Sequence, residues 1–80
     1  MGLKILNVGF DNIVSADRVV AVVTAEAAPI RRLIDEARKK NKLVDATNGR
    51  KTKTAVVTDS DHVILSAMQP STITQRMAAR

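Results

Sequence analysis

Leu43-Val44-Asp45-Ala46-Thr47-Asn48-Gly49-Arg50-Lys51-Thr52-Lys53-Thr54-Ala55-Val56-Val57-Thr58 is the stretch whose reading decides this chain. Asn48-Gly49 stands between two runs of strand-forming residues. Asn-Gly suits a type I′ turn, because both central residues need φ > 0. The spacing therefore predicts a hairpin, Leu43–Thr47 returning as Arg50–Thr58. Arg50, Lys51 and Lys53 follow the turn within four residues. A rigid tip carrying such a cluster suits contact with polyanions. Lysines that blunt a strand edge against aggregation are the plainer alternative.

The charge distribution extends the same theme. The net charge is +5, from 13 basic and 8 acidic residues. Nine of the basic residues lie between Arg31 and Lys53, opposed only by Asp35, Glu36 and Asp45, so that segment is net +6. The remainder is about neutral. Asymmetry of this kind points to nucleic acid or an anionic membrane surface.

Size and composition bound the architecture. Eighty residues make one domain, residues 1–80, with a modest core. Cysteine is absent, so neither disulfides nor thiolate-bound zinc can staple it. Trp and Tyr are absent and Phe10 is the only aromatic. The core is expected to be aliphatic, and self-association is the remaining route to further burial. No apolar run approaches the roughly 20 residues that span a bilayer, and a cytoplasmic location is expected.

Outward from the central stretch, Lys4–Val8 reads as a first strand closed by Gly9, Asp11-Asn12 as a turn, and Ile13-Val14 as renewed strand. Ala16-Asp17 marks a bend. Arg18–Thr24 is a β-branched run without polar alternation, which suggests burial on both faces. A helix can cover one face, and a second subunit is expected on the other. Ile30, Leu33, Ile34 and Ala37 share one stripe of a helix opened by Pro29 and ended by Asn41. Glu26 near its start and Lys39, Lys40 and Lys42 near its end suit the helix dipole. Asp59-Ser60-Asp61 is a second turn, leading into a strand over His62–Met68. Pro70 opens a short helix with Ile73, Met77 and Arg80 on one face, weak enough to be expected docked on a partner. The order β-β-β-α-β-β-β-α defines an α+β fold with a small, mostly antiparallel sheet.

Enzymatic chemistry has little footing. Asp59, Ser60, Asp61 and His62 are adjacent in one turn, whereas triad members converge across a fold. They also make a poor metal-ligand set. Gly2, Gly9 and Gly49 form no phosphate-cradling loop. The expectation is therefore no catalytic residue, no metal, no cofactor and no small-molecule substrate. Among polyanions, single strands want aromatic platforms that this chain lacks. A membrane-bound helix would want a bulky Trp/Phe face. Duplex DNA fits best. Arg18, beside Asp17, reads as a surface ion pair or as a further DNA contact.

Asn7-Val8-Gly9-Phe10, Asn12-Ile13-Val14-Ser15-Ala16, Ala28-Pro29-Ile30-Arg31-Arg32, Asp45-Ala46-Thr47-Asn48-Gly49-Arg50 and Asp59-Ser60-Asp61-His62-Val63-Ile64-Leu65-Ser66-Ala67 together resemble the RemA (extracellular matrix regulatory protein A) family of bacterial DNA-binding regulators. The resemblance covers nearly the whole chain. It implies a protomer of a ring-shaped homo-oligomer that binds duplex DNA on a basic surface, with biofilm-matrix control typical of one bacterial group. It implies DNA contacts at Arg18, Arg50 and Lys51, to which the basic run adds Lys53. The family pattern after Gly49 is usually two arginines. Lys51 cannot form the bidentate fork of Arg, so sequence readout there is expected to weaken while phosphate binding survives. The alternative is an oligomeric scaffold that binds no nucleic acid.

Overall fold

The computed structural model describes residues 4–78. Its elements are β1 (Ile5–Gly9), β2 (Asn12–Ser15), a 3-10 turn (Ala16–Arg18), β3 (Val19–Thr24), α1 (Ala28–Lys39), β4 (Leu43–Asp45), β5 (Thr54–Thr58), β6 (Val63–Ser66) and α2 (Pro70–Ala78). The order is the β-β-β-α-β-β-β-α expected, and the fold is α+β. The strands form two sheets, a β1-β2 hairpin and a four-stranded sheet ordered β3-β5-β6-β4. All pairings are antiparallel except β4 with β6.

That sheet order overturns the central hairpin. β4 and β5 are not neighbours, because β6 lies between them. β5 has two edges, and β3 and β6 occupy both. The Asp59–Asp61 turn makes β5 and β6 a true hairpin, with the Thr58 N–H donating to the His62 carbonyl at 3.0 Å. β4 is left to pair with the outer edge of β6. Residues 46–53 then cross the end of β6 as an irregular connection. Arg50, Lys51 and Lys53 had no apolar alternation with which to hold a strand.

Both faces of the four-stranded sheet are covered within the protomer. On one face α1 lays Ala37, with Ile30, Leu33 and Ile34, against Val23, Ala55, Val57, Val63 and Leu65. On the other, Leu6 and Val8 of β1 and Ile73 of α2 pack on Val22, Val56 and Ile64, with Met77 alongside. Period-two alternation explains the division, since Val22 and Val23 point to opposite faces. The expected burial of β3 on both faces is only partial. Val22 and Val23 pack on opposite sides, but no residue of the strand is fully buried, Val20 and Thr24 are exposed, and the hairpin and α2 cover the second face within the protomer. α2 likewise docks on its own chain, with Ile73 fully buried. Arg80 lies outside the described residues.

β3 also carries an irregularity that the run of valines concealed. Val19 pairs with Thr58 and Ala21 with Val57, leaving Val20 as the extra residue of a bulge. Val20 is consequently 67% exposed on an open sheet edge. α1 ends in a Schellman motif at Asn41 (φ 59°). The Lys42 N–H donates to the Ala37 carbonyl at 2.8 Å and the Asn41 N–H to that of Arg38 at 3.2 Å. No helix among the described residues is long and apolar enough to cross a membrane.

Candidate nucleic-acid interface

The Asn48-Gly49 turn survives although its hairpin does not. Asn48 (φ 54°) and Gly49 (φ 78°) are both left-handed, and the Arg50 N–H closes the turn on the Thr47 carbonyl at 3.0 Å. Ahead of it, one Asp45 carboxylate oxygen accepts from the Thr47 hydroxyl at 2.6 Å and the Thr47 N–H at 2.9 Å. Those two bonds, the hydroxyl's first, hold the Asp45 carboxyl below the ordinary carboxylate range, against a small opposing effect of desolvation. Behind it, Lys53 is pinned on both sides. Its N–H donates to the Ser66 carbonyl at 2.9 Å, and its carbonyl accepts from the Ala25 N–H at 3.1 Å. A short cationic loop is thereby anchored at both ends to one end of the sheet.

Each basic side chain of this loop has a different setting. Lys51 lies with its Nζ 3.8 Å from Glu26 Oε1, both side chains well exposed. Glu26 stands just before the first turn of α1, which contains no acidic residue of its own, so it lies near the helix start and also beside Lys51. Arg50 stacks over Phe10, its Cζ 5.6 Å from the ring centroid. Phe10, Ala67 and Met68 form the apolar floor of a shallow groove that Arg50, Lys51 and Lys53 surround.

Arg18 is elsewhere. It closes the 3-10 turn before β3, while Lys53 precedes Thr54, the partner of Thr24 at the far end of the β3-β5 ladder. The five residue steps from Val19 to Thr24, at about 3.3 Å each, separate the two ends by about 17 Å. The structure therefore brings Arg50, Lys51 and Lys53 together and leaves Arg18 apart. Its partner is also not the adjacent Asp17. Arg18 Nε donates to Asp59 Oδ1 at 2.7 Å, and the Asp59 N–H donates back to the Arg18 carbonyl at 2.9 Å.

The Asp59–His62 turn is internally bonded. Ser60 Oγ lies 2.7 Å from His62 Nδ1 and 3.0 Å from Thr58 Oγ1. Ser60 engages His62 through Nδ1 and Asp59 is paired with Arg18, so these three residues are not arranged as a Ser-His-Asp triad. Among the described residues no three His, Cys, Asp or Glu side chains are grouped to hold a metal.

Three residues take other roles in the sequence reading, which does not foresee their pairing with the cations: Phe10 with Arg50, Glu26 with Lys51 and Asp59 with Arg18. The two carboxylates meet their partners only through tertiary pairing. Phe10 did carry a signal, being an aromatic inside a turn of a chain with no other Phe, Tyr or Trp.

The loop is thus small, cationic and anchored at both ends on the α+β frame. The family described as "Extracellular matrix regulatory protein A-like" (RemA-like) matches residues 5–77, and the chain belongs to that family. Its full length is 55% identical to 93% of a relative from Brevibacillus brevis, and 56% identical to 90% of one from Clostridium botulinum strain Eklund 17B. A third, from Halalkalibacterium halodurans, is 54% identical over 92% of its length. All three carry the name "putative regulatory protein". The family is one of regulatory proteins.

Proposed function

We propose that this protein is a non-enzymatic, cytoplasmic regulator that binds duplex DNA through its Arg50-Lys51-Lys53 loop, repeated around a homo-oligomeric ring of single-domain protomers. The observation that carries the reading is the anchored loop itself. Three cations leave one end of the sheet on a backbone bonded at Thr47, Arg50 and Lys53. Pre-ordered cations lose less freedom on meeting phosphates. Arg18 adds a second contact point about 17 Å away along β3, about half of a 34 Å duplex turn. Lys51 contributes charge without the bidentate geometry of Arg.

Self-association is supported by apolar side chains that the fold leaves outside. Ile5 and Ile13 stand on the outer face of the β1-β2 hairpin, and Val20 and Val44 on the two edge strands. Open edges and exposed aliphatic residues together suit pairing between copies. Repetition multiplies weak grips on one polyanion.

The test is light scattering of the pure protein followed by a salt-titrated gel shift on duplex DNA. The expected result is an oligomer whose log K falls with log salt by about 0.9 per phosphate neutralised. A monomer indifferent to duplex at low salt overturns the proposal. An oligomer that never co-elutes with DNA favours the scaffold alternative.

A further inference from the structure

We propose that Phe10 is a positioning residue for Arg50, holding its guanidinium in the orientation in which the loop meets DNA. This inference rests on the DNA-binding reading above and deepens it by assigning the β1-β2 turn to the same site.

The ring occupies an expensive position. Phe10 (φ 52°) and Asp11 (φ 64°) are the two central residues of the turn between β1 and β2, and both are left-handed. Asn and Gly accept that geometry readily, whereas a bulky side chain there is a true outlier. Nor does the ring return its cost through the core, since it is 46% exposed. An outlier that its surroundings hold in place is a reason to look for function.

The turn is well held. The Gly9 N–H donates to Asn7 Oδ1 at 2.7 Å, and Asn12 Nδ2 donates to the carbonyls of Gly9 and Phe10 at 3.0 and 3.3 Å. A Cβ on Gly9 would stand 3.5 Å from the sulfur of Met68, so the turn rests on the chain leaving β6. The ring is thus a fixed surface, and it lies under the one cation of the loop that has a planar head. At 5.6 Å the guanidinium is within cation–π range. Lys51, by contrast, is loosely opposed by Glu26. Arg50 is the side chain for which a defined plane matters most, because its fork must align with phosphate or base-edge acceptors. Phe10 supplies that plane without competing for the N–H donors.

The experiment compares duplex affinity, subunit number and thermal midpoint for the wild type, Phe10→Asn, Phe10→Leu, Phe10→Tyr, Arg50→Ala and the Phe10→Asn/Arg50→Ala double variant. Phe10→Asn is expected to keep or raise the midpoint, because Asn accepts the left-handed turn. It is expected to weaken binding by about 2- to 5-fold for each protomer that engages the duplex. Phe10→Leu, which retains an apolar side chain without a π face, is expected to weaken binding similarly. Phe10→Tyr restores it. On the Arg50→Ala background Phe10→Asn adds no further loss. Unchanged binding in Phe10→Leu, or an equal Phe10→Asn loss on both backgrounds, overturns the inference while leaving DNA binding intact. A wild type without duplex affinity at low salt removes the DNA reading and this inference with it.

Discussion

The two ends of the β3-β5 ladder carry the same charge in opposite conditions. At one end Arg50, Lys51 and Lys53 gather on a loop where Lys51 lies 3.8 Å from the Glu26 carboxylate, both side chains well exposed. At the other, Arg18 is bound to Asp59 at 2.7 Å and bonded back through the main chain. A cation already paired must give up or share its carboxylate before it meets a phosphate. Counting basic residues therefore overstates the Arg18 end and understates the loop end.

The largest expected effect separates the two ends directly. Arg50→Ala should cost about 1–3 kcal/mol of duplex affinity and leave the subunit number unchanged by light scattering. Arg18→Ala should cost less in the same gel shift, since part of its loss is offset by no longer breaking the Asp59 pair. Equal losses would erase the contrast between the ends. Next in size, Gly49→Ala should destabilise by about 1–2 kcal/mol, the cost of a Cβ in the left-handed region. There is open space around that position, so the effect is one of backbone conformation alone. Thermal unfolding would show it as a drop of about 4–8 °C per kcal/mol.

Asp59→Asn should act in the opposite sense and tighten duplex binding by up to about 1 kcal/mol, the usual ceiling for an exposed pair. It should also bring Arg18→Ala closer to Arg50→Ala when the two are compared on that background. Glu26→Gln should tighten binding less, because its pairing with Lys51 is longer. A weakening in either variant would show that the carboxylates orient their cations instead of competing for them.

The smallest effect is one of pH. The folded Asp45 carboxyl is held below its ordinary range by Thr47. Its contribution to stability is full above the unfolded value and is lost as pH falls through the lower folded value. An NMR titration of the Thr47 amide should therefore show a midpoint below that of an unperturbed Asp. A midpoint at the ordinary value would mean that the carboxylate does not anchor the loop.

Local features were legible in the chain because their causes are local. Asn48-Gly49 takes its left-handed pair from two adjacent residues, and Pro29 and Asn41 bracket α1 for reasons contained within one helical turn. The apolar stripe Ile30, Leu33, Ile34 and Ala37 packs as its spacing predicts. The hairpin failed because the neighbour of a strand is a contest among all strands, and β6 outcompeted β4 for the edge of β5. The valines of β3 looked uniform, yet a bulge turned Val20 outward. The Arg18–Asp59 pair spans 41 positions and has no signature in either neighbourhood.

By itself, the sequence determined that this is a small aliphatic α+β regulator with a left-handed turn at Asn48-Gly49 followed by three cations. Only the tertiary structure decided that those cations leave a crossing loop, that Phe10 underlies Arg50, and that Arg18 stands at the opposite end bound to Asp59. The physical reason is range. Turn geometry and helical stripes are settled by neighbours in the chain, whereas strand order and ion pairing are settled by whichever distant groups the closing core brings within a few ångströms.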